Sequence, residues 1–430
     1  MKFWNLFKKE LRELMTFQTL AGLLVGVLIF FLVGQLMGSI GEELTGKMGS
    51  VVIADQDQTK LTAELKEELR SAGFELFEVE GASDTEIAAK TADFDHSAAL
   101  VLPAGFTGYF EGGYTAELWI VNRLTGFGML TGMDSSASSA AEVLKQSLSA
   151  RVAAEAGATD LEFLQNPVTP VDITVVGQTS EQVNADALRS FAMQQTIFIP
   201  LVVFILITFA TQLNASAIAN EKNDKTLETL LSAPVSRVSV LASKMCASGV
   251  LSLLMAAVYM IGFSSLMGGV MGGGGGTVEN PVASSLANLG LQLGPAQYAL
   301  VGLQLFLTIM IALAISMVLG ALAKDMKAAN GLMMPLMFLA MIPYFVTIFA
   351  DVSSLPVVGQ VLMYLIPFTH TFTASANLLF GHMTVFYVGL AYQAVVLVGV
   401  MMFAVHVFST DKIFTITLGG MKSKSRKKKA

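Results

Sequence analysis

Six stretches of this chain are long and apolar enough to cross a bilayer, and none carries an Asp, Glu, Lys or Arg in its interior. About 20 apolar residues in a helix cover the ~30 Å hydrocarbon core. The runs at 16–38, 190–216, 244–271, 296–323, 328–350 and 384–408 therefore predict six transmembrane helices, TM1 to TM6. With only 14% charged residues against 53% hydrophobic, the chain falls far below the roughly one quarter charged of soluble domains. An ordinary soluble globule is excluded. The first run has too long an apolar stretch and no clean small-x-small site, so it reads as an uncleaved span and not as a secretory signal. The lone cysteine, Cys246, excludes a disulfide framework and any multi-cysteine metal site.

Lysines and arginines set the orientation. Lys2, Lys8, Lys9 and Arg12 precede TM1, Lys222, Lys225, Arg237 and Lys244 lie between TM2 and TM3, and Lys324 and Lys327 lie between TM4 and TM5. A KSKSRKKK tail closes the chain. All four clusters fall on one side if there are six spans. Both termini are then cytoplasmic, the basic tail 409–430 included, and residues 39–189 are extracellular. The stretch 351–383 is apolar enough to tempt a seventh span. It also holds Pro367, His370 and Asn377, and a seventh span would put the basic tail outside. It reads as one or two short re-entrant helices in the outer leaflet, where irregular backbone is tolerated under protein cover. The acidic residues concentrate between about 39 and 189 while the basic ones flank the spans. This is a topological asymmetry and offers nothing to nucleic acid.

The insert 39–189 alternates strand-like and helix-like pieces. VVIAD (51–55) reads as a buried strand, LTAELKEELRSAG (61–73) as an amphipathic helix ending at glycine, and FELFEVE as a strand. SDTEIAAKTADF reads as a helix capped by Ser83, SAALVLPAGF and AELWIVNR as strands, 134–157 as helical and VDITVV as a strand back to the membrane. The fold class is thus a helical polytopic membrane protein with an inserted extracellular α/β domain. Asp55 and Asp57 read as turn residues after a strand, since no further ligand spacing accompanies them.

Several motifs fail on their chemistry. GEELTGKM (41–48) imitates a phosphate-binding loop, but Met48 stands where a Mg²⁺-binding hydroxyl is needed. The glycines in 272–295 lack phosphate-loop spacing and read as a flexible extracellular linker. The four histidines are scattered, so hydrolytic chemistry has no support, and no catalytic, cofactor-binding or metal-binding residue is expected. Spans without ionisable groups also disfavour a proton- or ion-coupled carrier, whose coupling element is such a group. Energy for transport has to come from another chain.

The segment 217–243 between TM2 and TM3 is short, charged and helix-prone. Leu227, Leu230 and Leu231 share one helical face, Glu221 and Asp224 sit near the N-terminal end, and Pro234 stops the helix. The pattern Glu221, Lys222, Thr226, Leu227, Glu228, Leu231, Pro234, Val235, Ser236 and Arg237, with Lys244 opening the next span, resembles the coupling-helix signature of ABC-2 type permeases. The N-terminal KKELRELM within 1–15 resembles that family's amphipathic connecting helix, and IADQD, LVLPAGF and WIVN resemble its large insert after TM1. YLIPFTHTFTASANLLFG resembles its outer re-entrant helices. In organisation the chain is similar to sodium-exporter permeases of the NatB type and related drug and lipid exporters.

The resemblance implies the permease subunit of an ATP-driven exporter in the plasma membrane of a prokaryote, and no enzyme activity of its own. Two copies, a homodimer before a heterodimer, form the path. Two cytoplasmic ABC ATPase subunits carry ATP and Mg²⁺ and push on Glu221, Lys222, Asp224, Thr226, Leu227, Glu228, Leu230, Leu231, Pro234 and Arg237. The cargo implied is Na⁺ or an amphipathic, lipid-like compound. Gln194, Gln195, Asn214, Asn330, Pro335, Pro343, Pro367, His370 and Asn377 are candidate path or gate residues. The polar ones equally suit helix–helix hydrogen bonds, and the prolines of TM5 suit a break or kink at a gate. The alternative reading is a non-transporting surface receptor or sensor anchored by the same scaffold, which needs no ATPase.

Overall fold

A computed structural model describes residues 49–128, 135–155, 166–183, 194–224, 281–323 and 326–409, with isolated positions at 188, 191, 243, 247, 249, 250 and 254. TM1, nearly all of TM3 and the loop residues from Lys225 to Ala242 lie outside them.

The α/β domain is built on a six-stranded mixed sheet of order β2-β1-β3-β4-β5-β6. Its strands are β1 (Ser50–Asp55), β2 (Glu75–Glu78), β3 (Ala98–Leu102), β4 (Ala116–Arg123), β5 (Val168–Val176) and β6 (Thr179–Gln182). β1 runs parallel to β2 and β3, β4 parallel to β5, and β3–β4 and β5–β6 are antiparallel. Strands buried on both faces need apolar residues at every position, not at alternate ones. That is why VVIA of β1 and AALVL of β3 are continuous apolar runs.

Helices cover both faces. On one, α1 (Lys60–Ser71) and α4 (Ser136–Glu155) lay Leu65, Leu69, Leu144 and Leu148 over Ile53, Leu100, Leu118 and Ile120. On the other, α2 (Asp84–Thr91) brings Ile87 and Ala88 to Val52, Val101 and Val121. The caps explain where these helices start. Thr59 and Thr62 form a capping box on α1, and the Ser83 hydroxyl accepts the Glu86 amide at 3.3 Å on α2. Gly73, at φ +97°, supplies the left-handed residue past the end of α1. SAALVLPAGF reads in the sequence as a strand ending in a turn, and the stretch after β3 instead forms the short helix α3 (Phe106–Glu111).

Asp57 fixes that turn. Its carboxylate accepts the Gly105 amide at 2.7 Å, the Thr107 amide at 3.0 Å and the Thr107 hydroxyl at 2.5 Å. Asp55 accepts the Gln58 amide at 2.8 Å and the Thr62 hydroxyl at 2.9 Å and pairs with Lys66 at 3.2 Å. Both aspartates are hydrogen-bonded turn residues.

Four described helices are long and apolar enough to cross a membrane. They belong to α5 (Ile199–Asn223, entered through a π-helical turn Gln194–Phe198), α7 (Pro295–Leu322), α8 (Met326–Phe349) and α12 (Met383–Ser409). A short helix, α6 (Pro281–Asn288), precedes α7. In its most apolar window α7 is 67% buried and α12 only 17%. So α7 is the hub and α12 lies at the edge. Ile309, Leu313 and Met317 of α7 pack with Val203 and Ile207 of α5 and with Met333, Leu336 and Tyr344 of α8.

Three sequence expectations change here. The second span, expected to end at 216, continues as helix through Asn223, because Ala215, Ile218 and Ala219 extend its buried stripe. The prolines of α8 do not break it. Pro335 and Pro343 both lie inside one continuous helix, and the Thr347 hydroxyl bonds the Pro343 carbonyl at 2.8 Å. Residues 351–383 hold more than one or two short helices: a 3₁₀ turn (Val352–Ser354), then α9 (Val357–Leu365), α10 (Thr369–Phe372) and α11 (Ala374–Leu379). Pro356 and Pro367 set off α9 from the turn before it and from α10.

α5 and α7 approach each other closely. A Cβ at Gly320 would sit 2.7 Å from the Ala215 carbonyl oxygen and 2.9 Å from its Cα. Gly320→Val is expected to destabilise the full-length protein by about 1–3 kcal/mol or more. Gly302→Ala, in open space on the same helix, is expected to be neutral or slightly stabilising. Thermal denaturation in detergent compares the two.

The second prediction concerns pH. Burial alone would raise the Asp57 carboxyl, but the Thr107 hydroxyl and amide and the Gly105 amide outweigh it and hold it below the usual range. A depressed carboxylate stabilises the fold fully above its unfolded value, about 3.9, and loses that contribution as pH falls through its folded value. Melting curves at stepped pH should show this loss below about pH 4. Asp57→Ala should remove the step and cost roughly 1–2 kcal/mol at neutral pH.

Candidate functional site

Polar groups in an apolar bundle are expensive unless paired, so their placement marks where the bundle has work to do. They gather in three places, one at each end of the bundle and one between α7, α10 and α12.

At the end away from the α/β domain, Asn214 of α5 donates to the Leu313 carbonyl at 3.1 Å and the Ser316 hydroxyl at 2.9 Å of α7. Two turns further along α5, the Lys222 amine donates to the carbonyls of Ala321 at 2.6 Å and Ala323 at 3.2 Å. A helix leaves its last carbonyls without intrahelical donors and carries a partial negative charge there. Lys222 satisfies both conditions for α7. The lysine expected to face an ATPase is thus held within its own chain, at the root of the 217–243 segment. Of the remaining coupling residues, Glu221 and Asp224 close this helix end. Thr226, Leu227, Glu228, Leu230, Leu231, Pro234 and Arg237 lie outside the described residues.

At the opposite end the α/β domain docks through the strand-exit segment 124–128. Phe127 inserts among Phe191, Phe380, Leu289 and Leu379, with ring centroids 5.5 Å from Phe191 and 4.8 Å from Phe380. Its carbonyl accepts the Thr196 hydroxyl at 2.6 Å. Asp351, just past α8, accepts the Gly128 amide at 3.2 Å. A Cβ at Gly126 would meet the Asp351 carboxylate at 2.0 Å, so a larger residue there would displace that side chain from the Gly128 amide. A cavity of about 30 Å³, room enough for a water, remains between Thr196, Thr347, Asp351, Thr373 and Ser375.

Between α7, α10 and α12 runs a buried polar seam. The Gln393 amide nitrogen donates to the Thr308 hydroxyl and the Pro367 carbonyl, each at 2.7 Å, and lies 3.1 Å from the Thr371 hydroxyl. Thr308 and Thr371 bond each other, and Thr371 reaches the Gln304 carbonyl at 3.4 Å. Gln304, Thr308 and Gln393 are at most 1% exposed. Beside the seam, the His370 ring packs between Tyr364 and Tyr392, bonds the Tyr364 carbonyl at 3.0 Å, and rests where Gly389 of α12 leaves no room for a Cβ.

The structure brings together only some of the expected path residues. Pro367 and His370 lie at the seam, whereas Asn377 donates to Thr373, which lines the cavity at the domain-docking end. Asn214 is a helix–helix bond on α5, and Asn330 is exposed on α8. Pro335 is exposed on α8 and Pro343 buried in it, while Gln194 and Gln195 belong to the π turn. Gln304, Thr308, Thr371 and Gln393 were missed. A single glutamine or threonine in an apolar run signals nothing until the facing helix is known. Among the described residues no group of His, Cys, Asp and Glu is placed to hold a metal.

Comparison with known proteins adds the family. Among solved structures, the chain is similar to a domain of a putative ABC type-2 transporter from Thermotoga maritima MSB8, at 22% identity. That likeness covers 32% of this chain and 94% of the other, with a TM-score of 0.28. No curated protein matches. The family described as ABC-2 family transporter protein matches from residue 16 to residue 408. A match of that extent takes in the α/β domain, every described membrane-length helix and the segment between the second and third spans, and the chain belongs to the ABC-2 transporter family.

Proposed function

We propose that this chain is the permease subunit of an ATP-driven exporter, paired with a second copy of itself and driven through the segment 217–243 by a separate cytoplasmic ATPase. The observation that carries this reading is the family match over 16–408, which encloses a loop with a coupling-helix pattern. The membrane component of an ABC transporter works with an ABC ATPase subunit. Two such subunits per permease pair, with ATP and Mg²⁺ on those chains, complete the proposed assembly. In this reading the loop and both termini face the cytoplasm of a prokaryotic cell and the α/β domain lies outside, an orientation that the basic clusters favour.

The mechanism needs a stiff connection between loop and bundle. Lys222 supports one, because its amine ties the helix entering the loop to the end of α7. A push on the loop then moves α5 and α7 as one body. The proposed cargo is Na⁺ or an amphipathic, lipid-like compound. The charge-free spans offer no carboxylate for a cation, and among the described residues the neutral groups of the seam, with Asn214, Ser316, Thr196 and Thr347, are polar groups inside the bundle.

The full-length chain is expected to copurify with an ABC ATPase. Leu227→Asp or Glu228→Lys should lower ATP-dependent transport at least about tenfold, the factor expected when an interface anchor is lost, while the amount of permease in the membrane stays constant. ATPase activity of the reconstituted pair, titrated with Na⁺, lipids and amphipathic drugs, identifies the cargo by stimulation. Full transport and intact ATPase binding in both variants would remove the docking role from this loop.

A further inference from the structure

The two faces of the α/β sheet are covered unequally. Strands about 4.8 Å apart make a six-stranded sheet roughly 24 Å wide, and one helix with its side chains covers only about 10–12 Å of that. α1 and α4 share one face. Among the described helices only α2, eight residues long, packs on the other, with Ile87 and Ala88 against Val52, Val101 and Val121. A cleft of about 300 Å³ lies beside it, over β4, β5 and β6. The register shows what forms its floor. Trp119 pairs with Val171, Val121 with Ile173, and Ile173 with Gln182, so Trp119, Val171, Ile173 and Gln182 share this face. Glu117, two positions before Trp119 on the same face, and Asp84, the first residue of α2, complete the lining. The Trp119 indole N–H donates to the Glu117 carboxylate at 2.9 Å, which holds the ring in place.

The chemistry of the lining narrows what fits. An indole and two aliphatic side chains on the floor select a ligand with an apolar body. No basic residue lines the cleft, and the carboxylates repel an anion. Acids elsewhere in the domain, such as Asp55, Glu68 and Glu86, are paired with Lys66, Arg151 and Lys90. Asp84 and Glu117 make no ion pair among the described residues. They do not belong to a metal-binding group either. An ammonium beside an aromatic ring gains from the ring quadrupole as well as from the carboxylates. The volume matches the small end of small-molecule sites. We propose that this cleft of the α/β domain binds a small organic cation, an ammonium group with an apolar or aromatic substituent. The charge lies between Asp84 and Glu117 and the body rests on Trp119 and Ile173. The cleft borders the contact between domain and bundle, because Glu181 of β6 accepts the Asn288 amide of α6 at 2.9 Å. The site stands on the geometry of the domain and holds whatever the exporter carries.

The chain has two tryptophans, Trp4 and Trp119. In the full-length protein carrying Trp4→Phe, indole emission therefore reports on the cleft. Benzyltrimethylammonium chloride is the test ligand. Benzyl alcohol and sodium benzenesulfonate, at equal ionic strength, present the same ring without charge and with a negative one. A saturable change in emission is expected with the cation alone. Asp84→Asn combined with Glu117→Gln removes both charges and leaves an acceptor for the indole. It should weaken cation binding about tenfold, the loss expected for two partly exposed charge contacts. Trp119→Leu, followed by titration calorimetry, should weaken it roughly fivefold. No saturable response to the cation overturns the proposal. So does an equal response to benzyl alcohol, or an affinity unchanged in the double variant. The comparison of the three ligands needs only the Trp4→Phe protein, so it stands even if the cleft variants do not fold. None of these measurements involves ATP or transport, so the outcome is separate from that of the exporter reading.

Discussion

Hydrocarbon offers no hydrogen bonds, and this constraint governs the helical part of the molecule. Most polar atoms carried into the bundle find their partners in the chain. Thr211 and Thr347 do so locally, bonding carbonyls one turn back on their own helices. Asn214 and Lys222 do so across α5 and α7. Gln393 does so with three groups from two other elements. The fold of 351–383 follows from the same rule. Its short helices leave loose backbone at their ends, and the Thr369 hydroxyl on the Met363 carbonyl and the Tyr392 hydroxyl on the Leu365 carbonyl take up what the turns release.

The α/β domain obeys an aqueous logic instead, with a sheet buried by helices on both faces and ion pairs such as Lys66–Glu78 and Arg151–Glu64 at its surface. The two regimes meet at 124–128. There the connection combines an aromatic anchor, Phe127, with a position, Gly126, at which any side chain would strike Asp351. An anchor that is both buried and sterically specific resists tilting better than a flexible tether, because few side-chain rotamers are free to absorb movement. The domain is therefore in direct contact with the bundle beside the start of α5 and the end of α8.

Much of this was legible in the sequence because it is written locally. The continuous apolar runs of β1 and β3, the Ser83 cap and Gly73 at the end of α1 each depend on residues within a few positions of one another. The apolar spans were legible for the same reason. What escaped depends on distant partners. The edge strand β6 (TSEQ) has no apolar pattern and exists because β5 lies beside it. Lys222 reads as a loop charge until Ala321 and Ala323 are seen against it. Gln393 reads as an isolated polar residue in an apolar span, and only the packing of α12 and α10 on α7 brings it to Thr308 and Thr371.

The contrast between the two interfaces of α7 carries a mechanical consequence. Its contact with α5 is close, with Gly320 against Ala215, and is fastened by Asn214 on Leu313 and Ser316 and by Lys222 at one end. Separating those helices would strip an amide and a lysine from their partners, and hydrocarbon offers no replacement. Its contact with α12 and α10 is polar. Groups parted there remain able to bond water or any donor that follows, so opening costs the difference between two hydrogen-bonded states and not the loss of one. α12 is also the least buried of the described spans, with the least apolar contact to give up. If the bundle parts along α7, physics favours the Gln304–Gln393 side, with α5 and α7 moving together.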